Sequence, residues 1–417
     1  MKAAFLTAWR GLWRGKTLWT LLAAVAAFHF LLPGIVRSDG TDAGAFEMTV
    51  RVVCGAVFAL ACVSSLAIGC GAFAREREDE LLPLSLVRPA SAFSLAAGRW
   101  LAVFLLFSLV FLANAVLLNA KQIKGGFPPP DCRVHFAPSL PPAEVSAALA
   151  MEAYLKSDTT PDAVKKSPRS AILSLLTAKE NERYEVVRPG QTVEWPFAGV
   201  PPGALTVKTR FSTMYSLKAP LNGVFRFRGA AGTVSNNTQA VLEVPLAGCG
   251  EKGAGEVETL SFTNTGKINV MLRPRRDVEL LAPGDSFMAN AIRASVGMLA
   301  VSGLLAAFGL FLSAALSRPV ALFTAAVLLA ATMMAPDAVS QFPDEFNATL
   351  GEKAGLAISR AVMVFTSALS EVSPVSDLAS GKAIGAENLV RAVASDVFLL
   401  PSLLLALASF VLRRKTR

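Results

Sequence analysis

The first stretch of this 417-residue chain whose residue types could do chemistry is Gly15-Lys16-Thr17. A phosphate-binding loop needs G-x-x-x-x-G-K-[ST] after a strand, so that backbone amides cradle the phosphates and the lysine reaches the outer ones. Gly11 stands only four positions before Gly15, Arg10 occupies the place of the first glycine, and the uncharged run Leu18–Val36 follows. Lys16 is therefore read as meeting lipid phosphate, not nucleotide. Hydrolytic chemistry has little material. His29 and His135 are the two histidines, and neither G-x-S-x-G nor S-x-x-K occurs. Cys54, Cys62 and Cys70 recur every eight positions inside an apolar run and read as small packing residues, not metal ligands. No catalytic residue, metal site or cofactor of its own is expected of the chain. Three ionisable residues in or beside apolar stretches remain, Arg293, Arg360 and Asp396. Such groups cost a few kcal/mol in hydrocarbon unless paired or wet. They either line the outer part of a polar path or gate, or snorkel to the outer headgroups.

The elements that would position these residues are membrane spans. The chain is 53% hydrophobic and 17% charged, with mean hydropathy +0.49, which suits neither a soluble protein nor one wholly in lipid. Unbroken apolar runs predict six spans: Leu18–Val36, Val52–Ala74, Trp100–Leu118, Ala289–Leu316, Val320–Pro336 and Ala392–Leu412. The net charge of +9 resides in short segments between them. Lys2, Arg10, Arg14 and Lys16 precede the first span without an acid, Arg318 marks a tight turn, and Arg413, Arg414, Lys415 and Arg417 end the chain, while residues 75–99 balance their charges. With six crossings these segments share one side, the positive-inside pattern, which places both termini in the cytoplasm of a multi-pass inner-membrane protein. The basic residues form no continuous face, so nucleic acid is not expected as a partner. Phe5, Trp9, Leu12, Trp13 and Trp19 recur near helical spacing beside Arg10, Arg14 and Lys16, which describes a helix lying among lipid headgroups. A plain positive flank with belt tryptophans is the simpler alternative. The first span reads as a retained anchor, because no small-residue cleavage site directly follows it.

Residues 74–102, AREREDELLPLSLVRPASAFSLAAGRWLA, are too long and too structured for a simple hairpin. The charged head Arg75–Glu80 cannot stay in hydrocarbon, and Leu81, Leu82, Leu84, Leu86 and Val87 form a greasy ridge before Pro89. The segment reads either as a loop hugging the membrane or as a docking element. With Glu76, Glu78, Leu81, Leu82, Leu84, Ser85, Pro89, Gly98 and Arg99, it resembles the coupling helix of the membrane subunits of type-2 ATP-binding-cassette transporters. Residues Ser286–Phe323 are similar to the fourth span, tight turn and fifth span of that family, and Ser373–Lys415 to its last span. Asp79-Glu80 departs from the Gly-Thr common in the family's Arg-Glu stretch, and the large insert after the third span is foreign to the basic plan. The resemblance implies a permease subunit of an ATP-driven exporter, working as a homodimer or heterodimer. Arg75, Glu76, Glu78, Leu81, Leu82, Leu84 and Pro89 would couple it to a separate cytoplasmic ATPase that binds the ATP and magnesium. It also implies outer helices, here the charged stretch 337–391, which re-enters or lies on the outer surface.

The expected fold class is thus an α-helical membrane protein with six spans and an extracytoplasmic α+β insert. Residues 1–120 hold the interfacial helix, the first three spans and the coupling loop; residues 286–417 hold the rest of the membrane part. Within the insert, 121–183 should be helical, and seven alternating strands separated by Pro-Gly, Asn-Gly and Asn-Asn turns in 184–285 predict a β-sandwich. Trp195, Phe197, Tyr215, Phe225 and Phe227 either line a glycan or lipid surface or fill the core. Cys132 and Cys249 both fall outside the membrane in this topology, where a disulfide is permitted. The alternative function is an envelope scaffold or sensor, in which the sandwich binds a ligand and the spans anchor it.

Overall fold

A computed structural model of the chain describes residues 1–35, 42–73, 91–125, 132–156, 169–212, 220–236, 241–246, 257–327 and 374–415. In chain order the elements are α1 Lys2–Arg14, α2 Thr17–Ile35, α3 Asp42–Gly71, α4 Ala92–Gly125, β1 Arg133–Phe136, α5 Ala143–Lys156 and α6 Arg169–Asn181. Strands β2 Glu185–Val187, β3 Thr192–Phe197, β4 Leu205–Arg210, β5 Leu221–Phe227, β6 Ala230–Asn236, β7 Val241–Leu246, β8 Glu258–Asn264 and β9 Val270–Leu272 follow. The chain continues through α7 Pro274–Asp277, β10 Val278–Pro283, α8 Phe287–Ala315, α9 Arg318–Val327, α10 Pro374–Ala379, α11 Ala386–Val393, a π turn Ala394–Leu399 and α12 Leu400–Lys415. They divide into two compact units, a helical one built from both ends of the chain and a β-rich one spanning Arg133–Gly284.

Four helices of the first unit are long and apolar enough to cross a membrane: Phe46–Gly71, Ala92–Ala120, Phe287–Ala315 and Leu389–Arg414. A fifth is reached if α1 and the part of α2 up to Pro33, which meet at a 54° bend, count together. The expected six are not reached among the described residues. Of the predicted span Val320–Pro336, only the short apolar helix α9 belongs to them.

α8 is the central helix, buried along most of its length. Its N-terminus is set by Ser286, whose hydroxyl accepts from the amide of Ala289, and Ser91 caps α4 in the same way through Ser94. α8 meets α3 at a glycine pair. A Cβ on Gly309 would fall 2.7 Å from the Leu66 carbonyl and 2.9 Å from the Cys70 amide, while one on Gly69 would fall 2.6 Å from the Ala306 carbonyl. In lipid there is little hydrophobic drive to pair helices, so close backbone approach and dispersion hold this seam. Cys54 and Cys70 of α3 are buried in two apolar clusters, as the packing reading of these cysteines expects.

In the second unit, β1-β10-β4-β7 form one four-stranded sheet, β3-β8-β5-β6 another, and β2-β9 a small third, all antiparallel. Alternation places Leu205 and Val207 of one sheet and Leu221, Phe225 and Phe227 of the other in a single core, the arrangement of a β-sandwich. Nine strands are described in 184–285 where seven were expected, and the stretch 121–183, into which α4 runs as far as Gly125, is not all helix, because β1 lies within it. β5 and β6 join through Arg228-Gly229, both at positive φ (50° and 77°), the two-residue turn whose twist matches the strands. Arg228 holds this conformation by donating to the carbonyls of Val200 (2.7 Å) and Pro201 (3.0 Å) and by pairing with Glu258.

Replacing Gly309 with leucine should separate α3 from α8, because the obstacle is backbone and cannot rotate away. Overpacking typically costs about 1–3 kcal/mol, so the variant should show a clearly lowered thermal midpoint and folded yield in detergent. Gly11→Ala, where the added carbon meets nothing within 4 Å, is the control and should match the parent.

Candidate functional site

The residues expected to carry ATPase coupling, Arg75, Glu76, Glu78, Leu81, Leu82, Leu84 and Pro89, lie outside the described residues, but both flanks of that segment are described. Arg99 donates to the carbonyl of Ala72 at the end of α3 and lies 4.3 Å from the centroid of the Phe73 ring. The guanidinium thus satisfies an orphan carbonyl of one helix from the first turns of another. Phe73 is buried in a cluster with Ala92, Ala96, Leu310, Ala314, Leu405 and Leu412, drawn from α4, α8 and α12. Four helix ends therefore converge here, and the chain from 74 to 90 leaves and returns at a fixed base.

α1 seats on the same base. Ala4, Phe5, Ala8, Trp9 and Leu12 form its half-buried stripe, at the spacing of one helix face. Gly98 permits the approach: a Cβ there would lie 2.9 Å from the Ala4 Cβ, the Met1 carbonyl and the Phe5 amide. The opposite face carries Lys2, Leu6, Arg10, Trp13 and Arg14, all exposed. Phe5, Trp9, Trp13 and Trp19 follow one another at 6.3, 6.2 and 5.4 Å between ring centroids, so the aromatic ladder crosses the bend into α2. Of the expected set, Trp9, Arg10, Trp13 and Arg14 are thus on one short element but divided between two faces, and Lys16 stands at the corner that follows it. Arg318 lies near Gly71, and Arg413 and Arg414 close α12 next to the buried Leu412. The basic segments identified in the sequence gather at one end of the bundle.

The two described residues expected at a path or gate, Arg293 and Asp396, have different partners. The guanidinium of Arg293 pairs with Asp285 and reaches the Ile384 carbonyl at 3.5 Å, a tie between the start of α8 and the segment before α11. Asp396 is 1% exposed in the π turn and accepts from the Ser395 hydroxyl at 2.7 Å, so it does not snorkel to the bundle surface. Arg360 lies outside the described residues. Two asparagines escaped the sequence reading. Asn290 is fully buried; it donates to the Lys382 carbonyl (2.9 Å) and accepts from the Ile384 amide (2.8 Å), clamping that segment as a strand would. Asn114 links His29 (3.1 Å) on α2 to Cys54 (3.8 Å) on α3. A lone asparagine inside an apolar run was the signal for both.

In the β-rich unit, Trp195, Phe197, Phe225 and Phe227 are core side chains, at most 1% exposed, which settles their alternative against a binding surface; Tyr215 lies outside the described residues. Cys132 is buried in the helical unit, and Cys249 is not among the described residues, so the disulfide permitted between them rests on the sequence alone. A cleft of about 200 Å³ is bounded by Pro141, Ser146, Glu180, Arg183, Glu185 and Arg275. It is below the ~300–1,000 Å³ usual for ligand pockets. Its polar walls are largely engaged: Arg183 with Glu180 (3.4 Å), Glu185 with the Trp195 indole (2.9 Å), and Arg275 with the Pro141 carbonyl (2.5 Å). Beside it Glu182 bridges Arg273 (2.6 Å) and Arg276 (2.8 Å), and Arg273 also pairs with Asp277 (2.9 Å). The hydrogen bond from Arg273, with the charges of both arginines, holds the Glu182 carboxyl below its ordinary range. The Arg273 guanidinium is held protonated chiefly by Asp277 and then Glu182.

Comparison with known protein families, with characterised proteins and with solved structures finds no match to this chain. The geometry above has to carry the functional argument.

A lowered folded-state pKa means that the unfolded chain takes up the proton first on acidification. The Glu182 contribution is therefore complete above the ordinary carboxylate value of about 4.3 and is lost as pH falls through the lower folded value. Amide-exchange protection around Ala178–Arg183 and Arg273–Asp277 should drop in that acid window, and Glu182→Gln should remove the step. Unchanged protection in the parent across the window would refute the assignment.

Proposed function

We propose that this chain is the permease subunit of an ATP-driven exporter and receives motion from a separate cytoplasmic ATPase through residues 75–89. The observation that carries the reading is the base at Arg99, Ala72 and Phe73. A segment that transmits force must be held firmly at both ends, and here its two flanks are bonded to each other and packed against α8 and α12. A displacement of the segment would move α3 and α4 together and reach α8 through the glycine seam.

In this mechanism ATP binding on the partner draws two ATPase subunits together. Glu76 and Glu78 supply charged contacts, the ridge Leu81, Leu82 and Leu84 docks in an apolar groove of the partner, and Pro89 ends the element before α4 begins. The permease is a dimer, with the substrate path between copies. Its location is the inner membrane with both termini cytoplasmic, a topology supported by the gathering of Arg10, Arg14, Arg318, Arg413 and Arg414 at one end of the bundle. The sensor alternative draws no support from the sandwich aromatics, which are core.

Co-purification from native membranes tests the proposal. The parent should retain an ATPase subunit, and Glu76→Lys with Glu78→Lys should reduce retention by about tenfold or more, the equivalent of ~1.4 kcal/mol, without lowering the thermal midpoint. Undiminished retention, or a reporter near position 80 accessible from outside the cell, would overturn it.

A further inference from the structure

The exposed face of α1 has properties that seating on α4 does not require. With Ala4, Phe5, Ala8, Trp9 and Leu12 turned to the bundle, Arg10 and Arg14 stand one turn apart on one side of the remaining face, and Leu6 and Trp13 stand on the other. Leu6 is 37% exposed, Trp13 46% and Trp19 54%. No acidic residue occurs among the first 38, while Lys2, Arg10, Arg14 and Lys16 all do. The element is thus cationic along one edge and aromatic along the next.

The bend between α1 and α2 adds an independent observation. Lys16 sits at φ +60°, in the left-handed region, at the corner of a 54° turn. A non-glycine residue there carries a strain of roughly 1–2 kcal/mol, and glycine would adopt the corner without it. The side chain kept at that strained position is an exposed lysine, two residues beyond Arg14, where the helix ends. Strain retained at one residue points to a use for its side chain.

We propose that α1 and its corner form a docking surface for anionic phospholipid headgroups. Arg10, Arg14 and Lys16 take the phosphates, and Leu6, Trp13 and Trp19 enter the boundary with the acyl chains. A guanidinium offers several donors in a plane and meets a phosphate with paired hydrogen bonds. The tryptophans are suited to the same depth, apolar in body and polar at the indole nitrogen. Because Gly98 brings α1 into backbone contact with α4, and the neighbouring Arg99 ties α4 to α3, lipid docking stabilises the bundle as a whole. The surface is independent of the transport reading and holds equally for an anchored sensor.

The test uses the full chain in vesicles of phosphatidylcholine, with and without phosphatidylglycerol. Readouts are the lipids carried through gentle detergent extraction, by native mass spectrometry, and the thermal midpoint. The parent should retain phosphatidylglycerol in preference to phosphatidylcholine and melt higher in its presence, with both effects shrinking as salt rises. Each basic side chain near an anionic surface contributes roughly fivefold, so Arg10→Gln, Arg14→Gln and Lys16→Gly together should reduce the preference about a hundredfold. Lys16→Gly alone separates binding from folding: it should melt at or above the parent in pure phosphatidylcholine, its corner relaxed, yet lose about fivefold in the preference. Arg10→Lys with Arg14→Lys should restore most of it. A parent with no preference, or a preference that survives the triple substitution, would overturn the proposal. Reproduction of the stabilisation by inorganic phosphate in phosphatidylcholine vesicles would do so as well, by identifying a free anion as the ligand.

Discussion

Backbone-to-backbone contact between α3 and α8 is the constraint on which the helical unit depends. Gly69 and Gly309 face one another so closely that neither can carry a side chain, and α8 is buried along most of its length on either side of this crossing. Within a bilayer, apolar side chains gain little by leaving lipid for protein. Dispersion summed over a close, well-shaped approach has to supply the attraction, and it falls off within a fraction of an ångström. The crossing is therefore a rigid point, and α4, α12 and the ends of the loops are arranged about it.

That rigidity gives the polar contacts their meaning. In water an arginine on a carbonyl, or an asparagine holding an amide and a carbonyl, would be one modest bond among many. Where water is excluded, an unmet donor or acceptor costs far more, so each such bond selects one arrangement of the elements it joins. Arg99 selects the closure of α3 upon α4; Asn290 selects the course of residues 382–384 past α8. The β-rich unit uses the same device in Arg228, whose three partners hold a strained turn and the loop at Val200 and Pro201 together.

Much of this was legible in the sequence, and the reasons for the remainder are specific. Apolar runs declare spans, because twenty or so uncharged residues have few other uses. They do not declare crossings: Gly69 and Gly309 read like any other glycine in α3 or α8, and only the third dimension pairs them. Strands β4, β5 and β8 alternate and were visible; β6, Ala-Ala-Gly-Thr-Val-Ser-Asn, has almost no apolar rhythm and is a strand because β5 pairs with it. β10 was hidden for the opposite reason, since Val278, Leu280, Leu281 and Ala282 are all buried and periodicity of two disappears. Among the candidate site residues, charge drew attention to Arg293 and Asp396, whereas the uncharged Asn290 and Asn114 do comparable bonding work inside the bundle.

The π turn at Ala394–Leu399 sets the phase of the last crossing. A π turn accommodates one residue more than an α turn, so the helix above it is rotated by about 100° relative to an unbroken α-helix. Excising a single residue there would leave the span continuous and nearly as long, yet swing the whole of α11 around its axis. Val390 and Arg391, now exposed, would be carried toward other surroundings, and α11 would meet α8 through a different set of side chains. The length of this segment, more than its composition, decides what its upstream neighbours face.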